Sequence, residues 1–178
     1  SRVLLINNNV KMEDHEWGSD HAPSIDINSI EKISLIKGAG ALKYGGSALG
    51  GVIISETLKT KLVDSLYGKL YSSASTNGKG GTITTDITKT NSQGWYTRFQ
   101  GTFKRFGDYN TPNYIMSNTG LSERNFSLKS GLNRVDYGFE VYYSFFNNET
   151  GILRASHLVS AQDIFRGITN GIPLIIED

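Results

Sequence analysis

The chain has 178 residues, with 18 Lys and Arg against 17 Asp and Glu, a formal net charge of +1 and no cysteine. Near-neutrality removes the electrostatic case for a nucleic-acid partner. The lack of cysteine excludes disulfides, thiolate catalysis and Cys-ligated metal together. No apolar run approaches the ~18 residues that a membrane helix requires, but a β-barrel crosses with apolar residues on alternate positions and escapes that test.

The chain opens on Ser1-Arg2 with no initiator Met and no charged-then-apolar leader, and is read as an internal piece of a longer polypeptide. Residues 1–60 have a mixed grammar. Residues 3–6 predict a short buried strand, stopped by Asn7-Asn8-Asn9, and "KMEDHEWGSDHAPS" follows as a polar loop. Residues 30–37 predict a second strand. A glycine-rich stretch with one helical turn over 41–44 comes next, and 52–54 predict a third strand. The expectation is a small α/β module.

After about residue 62 the grammar becomes long and alternating. Five strands are predicted, near 64–76, 82–90, 95–106, 122–133 and 137–147. In "WYTRFQGTFKRF", Trp95, Thr97, Phe99, Gly101 and Phe103 share one face, and Tyr96, Arg98, Gln100, Thr102 and Lys104 the other. Phe126, Leu128, Phe139, Val141 and Tyr143 join the apolar set; Lys129, Glu140 and Tyr142 join the polar one. Tight turns are expected at 91–94 and 133–136, a long polar loop at 106–121, and a longer one after Asn147.

One apolar and one polar face also describe a soluble antiparallel sandwich. Three features favour a membrane barrel. The strands reach the ~9–11 residues of a tilted crossing. Short connections at one end oppose long ones at the other, except that the first hairpin, around 77–81, is short and breaks the trend. Aromatic residues (Trp95, Tyr96, Phe106, Tyr109, Tyr137, Phe145, Phe146) crowd the strand ends as an interfacial girdle would.

The glycine stretch, "IEKISLIKGAGALKYGGSALGGVIIS", fails as a phosphate loop. A dinucleotide fingerprint would need a glycine where Lys43 stands, and a Walker loop would need a lysine where Gly46 stands. It closely resembles the end of the plug domain of TonB-dependent outer-membrane receptors, whose pattern runs I-E-R-I-E-V-L-K-G, then A-L-Y-G, then A-[IL]-G-G-V-I-N-I. Here the pattern reads Ile30-Glu31-Lys32-Ile33-Ser34-Leu35-Ile36-Lys37-Gly38, then Ala41-Leu42-Lys43-Tyr44-Gly45, then Ala48-Leu49-Gly50-Gly51-Val52-Ile53-Ile54. Ala39 replaces the usual proline, and Ser55-Glu56-Thr57 varies the strand exit.

The resemblance implies a mixed fold: the C-terminal part of a plug at 1–60, followed at 61–178 by the first antiparallel strands and extracellular loops of an incomplete transmembrane β-barrel. The complete barrel would have roughly twenty-two strands. It also implies a structural signature at Glu31, Lys37, Gly38, Tyr44, Gly45, Gly50 and Gly51, with Glu31 and Lys37 facing the lumen and pairing with barrel residues. The function implied is energy-coupled import of a scarce nutrient, most often a ferric siderophore, in the outer membrane of a Gram-negative bacterium. Its partners would be the TonB energy-transducing complex, outer-membrane lipid and the cargo. No cofactor and no enzymatic activity are expected, since no G-x-S-x-G elbow or metalloprotease helix occurs.

The segment "EDHEWGSDH" gathers acids, two of the three histidines and one of the two tryptophans. By the resemblance it lies in an apical plug loop, where His15, Trp17, Asp20 and His21 are the candidate substrate contacts. Asp20 and His21 are candidate metal ligands, because oxygen and imidazole donors at this density suit Zn²⁺ or Cu²⁺. The plainer alternative is that Asp20 caps a turn, His21 hydrogen-bonds and Trp17 packs. His157 would face the same vestibule or solvent. Direct transition-metal uptake and a soluble β-rich binding or adhesion module are the competing functions.

Overall fold

The computed structural model of the chain describes residues 3–12, 24–57, 63–153 and 160–171. It divides into two compact units, one holding residues 1–70, 84–102 and 125–147, the other 71–83, 103–124 and 148–178.

The first unit contains a small four-stranded sheet: β1 (Val3–Asn7), β2 (Val10–Met12), β3 (Lys32–Ile36) and β4 (Gly51–Glu56), in the order β2-β1-β4-β3. β1 runs parallel to β4, with Leu4 opposite Val52, and β3 runs antiparallel to β4. Leu4, Ala41, Ala48 and Val52 are buried together, and Ile6, Ile36, Tyr44 and Ile54 pack around them. The chain between β3 and β4 coils as 3-10 turns over Gly38–Tyr44 and Gly46–Ala48. Those turns bring Ala41 and Ala48, side chains small enough to sit fully inside, down onto the sheet.

The larger sheet is built from β5 (Ser65–Ser75), β6 (Gly80–Thr90), β7 (Trp95–Phe106), β10 (Leu121–Asn133) and β11 (Gly138–Thr150), with β8 (Tyr109–Asn110) and β9 (Ile115–Met116) forming a separate hairpin. Its order, β11-β10-β7-β6-β5, is up-and-down. The strands are 11 to 13 residues long, about twice the usual length.

The polarity of this sheet is inverted. Thr82, Thr84, Asp86, Thr88 and Thr90 of β6 are buried, as are Arg98, Gln100 and Thr102 of β7 and Glu123 and Asn125 of β10. Their apolar neighbours are not. Gln100 is 2% exposed and the adjacent Phe99 43%. Ile83, Ile87, Phe103, Phe126, Leu128, Phe139, Val141 and Tyr143 are exposed likewise. Aromatic contacts run along that face: Trp95 meets Phe139 edge-on at 5.7 Å, and Phe126 stacks on Phe145 at 5.3 Å.

Several expectations are corrected. The polar loop expected from residue 11 begins instead as a strand. Asn8 and Asn9 adopt φ of 47° and 66°, the left-handed pair of a tight hairpin turn, and pair β2 with β1. The second strand starts at Lys32 because Ile27–Ser29 is a 3-10 turn, capped by Asp26 through the Asn28 amide at 2.9 Å. The helical turn expected at 41–44 extends back to Gly38. Tyr96 is buried on the polar face, where its alternation placed it, and not in an interfacial girdle; it donates to Glu140.

In the second unit, the loop expected to be irregular holds the β8–β9 hairpin, closed by the Thr111 amide on the Tyr114 carbonyl at 2.8 Å. Asp108 pins its base: Oδ1 accepts from the Thr119 amide at 2.7 Å and the Gly120 amide at 2.9 Å. After β11, α1 (Ala161–Asn170) stands where only a loop was expected. Ser160 caps it, with Oγ accepting from the Asp163 amide at 3.2 Å, and Gly171 ends it in the left-handed conformation at φ 66°.

Candidate functional site

The site that can be built from described residues lies in the first unit, where the 1–60 segment meets the polar face of the long strands. Three groups of polar contacts join them, each springing from a different local structure.

The first is Asp26. The 3-10 turn that it caps leaves Oδ1 on the Asn28 amide and turns Oδ2 toward β7, where Gln100 Nε2 donates at 2.6 Å. Gln100 also donates to Thr102 Oγ1 at 3.0 Å, and its Oε1 accepts from Ser127 at 3.3 Å. Asp26, Ser29, Gln100, Asn125, Ser127 and Tyr142 border a cavity of about 20 Å³, room for a single water molecule.

The second is Glu31, at the head of β3. Its carboxylate takes an ion pair from Lys69 of β5, and Arg98 Nη2 of β7 lies 4.0 Å away. Arg98 itself is bound closely by Asp86 of β6 through both Nε and Nη2. Arg98 is 5% and Asp86 8% exposed, so neither charge is tolerable there without the other. Nη1 of Arg98 has no hydrogen-bond partner.

The third is Lys129 of β10. Its ammonium sits 3.1 Å from Glu140 Oε1 of β11 and 5.5 Å from the centre of the Tyr142 ring. It donates to Thr57 Oγ1 at 3.0 Å and Asn8 Oδ1 at 3.4 Å. Asn8, on the β1–β2 turn, also accepts from the Thr57 amide, so one cation ties together the adjoining C-terminal ends of the parallel strands β1 and β4.

The glycine skeleton supports this surface. Gly38, Gly45 and Gly51 have φ of 65°, 104° and 123°; Gly50 is not among the positive-φ positions. At Gly51 a Cβ would stand 3.0 Å from the Ile36 carbonyl oxygen, the neighbour across the β3–β4 pair. Tyr44 packs against the small core with Lys43 over its ring at 4.9 Å. Lys37, expected to pair with a strand residue, is exposed, and no ion pair joins it to the strands among the described residues.

Residues 1–52 match the family described as TonB-dependent Receptor Plug Domain. This match supports reading the chain as a fragment of a TonB-dependent receptor. The matched stretch takes in β1 to β3 and the 3-10 turns between β3 and β4, so the plug is the segment whose Asp26, Glu31 and Asn8 make the contacts above. The family consists of transporters rather than enzymes, in the outer membranes of Gram-negative bacteria. No curated protein matches the chain.

His15, Trp17, Asp20, His21 and His157 lie outside the described residues. Among the described residues no His, Cys, Asp and Glu side chains gather as a metal site. Asp26 and Asp86, central to the contacts with the plug, were not singled out by the sequence. The signal for Asp86 was present: in "TITTDITK" it shares parity with Thr82, Thr84 and Thr88, all polar, opposite Ile83 and Ile87.

The second unit has a shallow groove of about 850 Å³ whose lining includes Arg105, Phe106, Asp108, Asn118 and Glu149. The Asp108 carboxyl is held below its ordinary range, first by the Thr119 amide and then by those of Gly120 and Asn118.

Proposed function

We propose that the chain is part of a TonB-dependent outer-membrane transporter, with residues 1–60 forming the C-terminal part of the plug and 61–178 the first strands and extracellular loops of a transmembrane barrel. The observation that carries this reading is the inverted sheet, polar where it meets the plug and aromatic where it is exposed. A soluble sandwich or adhesion module buries its aromatic face; a barrel wall turns that face to lipid and keeps the polar one for the lumen. On this reading TonB supplies the energy that displaces or remodels the plug, and no chemistry is performed on the cargo.

Phe99→Arg in the full receptor tests the membrane. At mid-bilayer depth it is expected to cost ~2–4 kcal/mol of folding free energy in lipid. A change within ~0.5 kcal/mol, typical of an exposed position in water, would return the chain to the soluble class.

The cargo we propose is a scarce nutrient, foremost a ferric siderophore, met by His15, Trp17, Asp20 and His21 of the apical loop. The support is the resemblance of that segment to plug loops and its density of donors. Direct zinc or copper uptake differs in requiring Asp20 and His21 as ligands. Titrating the receptor with ferric siderophore and with Zn²⁺, before and after Asp20→Ala and His21→Ala, separates the two. Loss of siderophore binding alone supports the chelate; loss of Zn²⁺ binding alone supports the ion. No change in either removes the loop from recognition.

A further inference from the structure

Where β7 and β10 flank the 107–120 loop, their two faces carry charge differently at the same level. On the polar face, Lys104 of β7 is paired with Glu123 of β10 at 3.1 Å. One residue further along each strand, on the other face, stand Arg105 and Arg124. Both are exposed, and neither has an ion pair among the described residues. The Arg124 guanidinium carbon lies 6.0 Å from the centre of the Phe103 ring.

That contact and the Lys104–Glu123 pair fix the antiparallel register of β7 and β10. Arg105 then stands opposite Ser122 and diagonal to Arg124, about 7–8 Å from it. On the β6 side, the contact of Thr84 Oγ1 with Thr102 Oγ1 at 3.1 Å sets Ile83 level with Phe103, and Gly81 level with Arg105. Gly81 and Ser122 are too small to cover the Arg105 guanidinium, while Ile83 and Phe103, 56% and 46% exposed, form an apolar row beside it. Arg105 and Ser122 also line the shallow groove of about 850 Å³. The two acids that line it are otherwise placed. Asp108 accepts from the Thr119 and Gly120 amides, and Glu149 stands on β11, beyond β10, with no ion pair among the described residues.

We infer that Arg105 and Arg124 bind a phosphate group of an outer-leaflet lipid whose acyl chains lie along Ile83 and Phe103. The inference rests on the transporter reading above and deepens it, by naming the lipid chemistry that this part of the wall takes. Like charges on one face of a strand pair repel, and no described side chain offsets these two, so the counter-charge comes from outside. Arginine presents a planar fork of donors that matches phosphate. Depth agrees: Arg105 is the last residue but one of β7 and Arg124 the fourth of β10. Both therefore stand at the rim of the apolar band, where a charge costs little, and not at its middle. The neighbouring loop is the long one, which on the barrel reading marks the extracellular side. A free phosphate would meet the guanidinium groups and leave Ile83 and Phe103 in water; a lipid satisfies both.

The test uses the full-length receptor, delipidated in neutral detergent. It is titrated with bisphosphorylated lipid A, with the dephosphorylated form and with inorganic phosphate, and bound ligand is counted by native mass spectrometry. The phosphorylated lipid is expected to bind roughly tenfold more tightly than the dephosphorylated one. Arg105→Gln combined with Arg124→Gln should abolish that preference. Lys89→Gln, which removes an exposed cation near the other end of β6, should leave it within about twofold. Equal binding of the two lipid forms, a preference that survives the double substitution, or an equal loss from Lys89→Gln overturns the site. Inorganic phosphate binding as tightly as the lipid overturns the lipid as its occupant. A receptor that stays monomeric without detergent removes the barrel reading, and the site with it. One that requires detergent yet fails these comparisons loses the site alone.

Discussion

Gly45 occupies φ 104° and ψ 175°, between two 3-10 turns that together seat Ala41 and Ala48 in the small core. That backbone region is essentially closed to residues with a Cβ. No atom lies within 4 Å of where its Cβ would stand, so a substitution there acts through the backbone and not through a clash. Gly45→Val in the full receptor is expected to cost ~1–3 kcal/mol of plug stability. It should appear as increased protease cleavage of the plug or lower receptor levels, with cargo affinity unchanged in the receptor that does assemble. Normal levels with selectively weakened binding would contradict this. The glycine skeleton was legible in the sequence because backbone geometry dictates residue type there directly. The partners of Glu31 were not. Lys69, Arg98 and Asp86 are brought to one place by strand register, and register is a property of pairs of segments that no single segment encodes.

At the scale of elements, the long strands were legible because their two faces meet different surroundings, which enforces a period of two over eleven or more residues. The short elements escaped for want of length: β2 has three residues, β8 and β9 two each. α1 escaped for another reason. Ser160 with Asp163 is a capping pattern, and Ile164, Phe165 and Ile168 keep helical spacing, but these signals sit in a stretch read wholly as loop. The β8–β9 hairpin owes its base to Asp108, whose lowered pKa makes it pH-sensitive. Because the folded value is depressed, its contribution is fully present above the ordinary carboxylate pKa and is lost as pH falls through the folded value. Amide exchange at Thr119 and Gly120, corrected for intrinsic rates, is therefore expected to lose protection across that acid window. Asp108→Asn should lower protection throughout the neutral range. Protection independent of both would show that the hairpin closes without this carboxylate.

At the scale of the whole molecule, two features of the long sheet point the same way. Among the described residues β5 and β11 each have a strand on one side only, and one face of the sheet is an exposed aromatic and aliphatic surface. An open edge offers unpaired amides and carbonyls to any other chain, and an apolar face of this extent is not left to water by a stable soluble monomer. The plug adds only the small core of Leu4, Ala41, Ala48 and Val52 and its neighbours, and its contacts to the long strands are polar. On the proposed reading, the hydrophobic term for the sheet comes from lipid along the face and from further strands at the edges. The isolated chain in aqueous buffer is expected to self-associate, eluting from size exclusion well above 19.6 kDa. Detergent micelles should disperse it while retaining the circular dichroism of a strand-rich protein. If the same chain ran as a monomer without detergent and unfolded cooperatively in urea, its aromatic face would have to be covered from within, and the barrel-wall reading would fall.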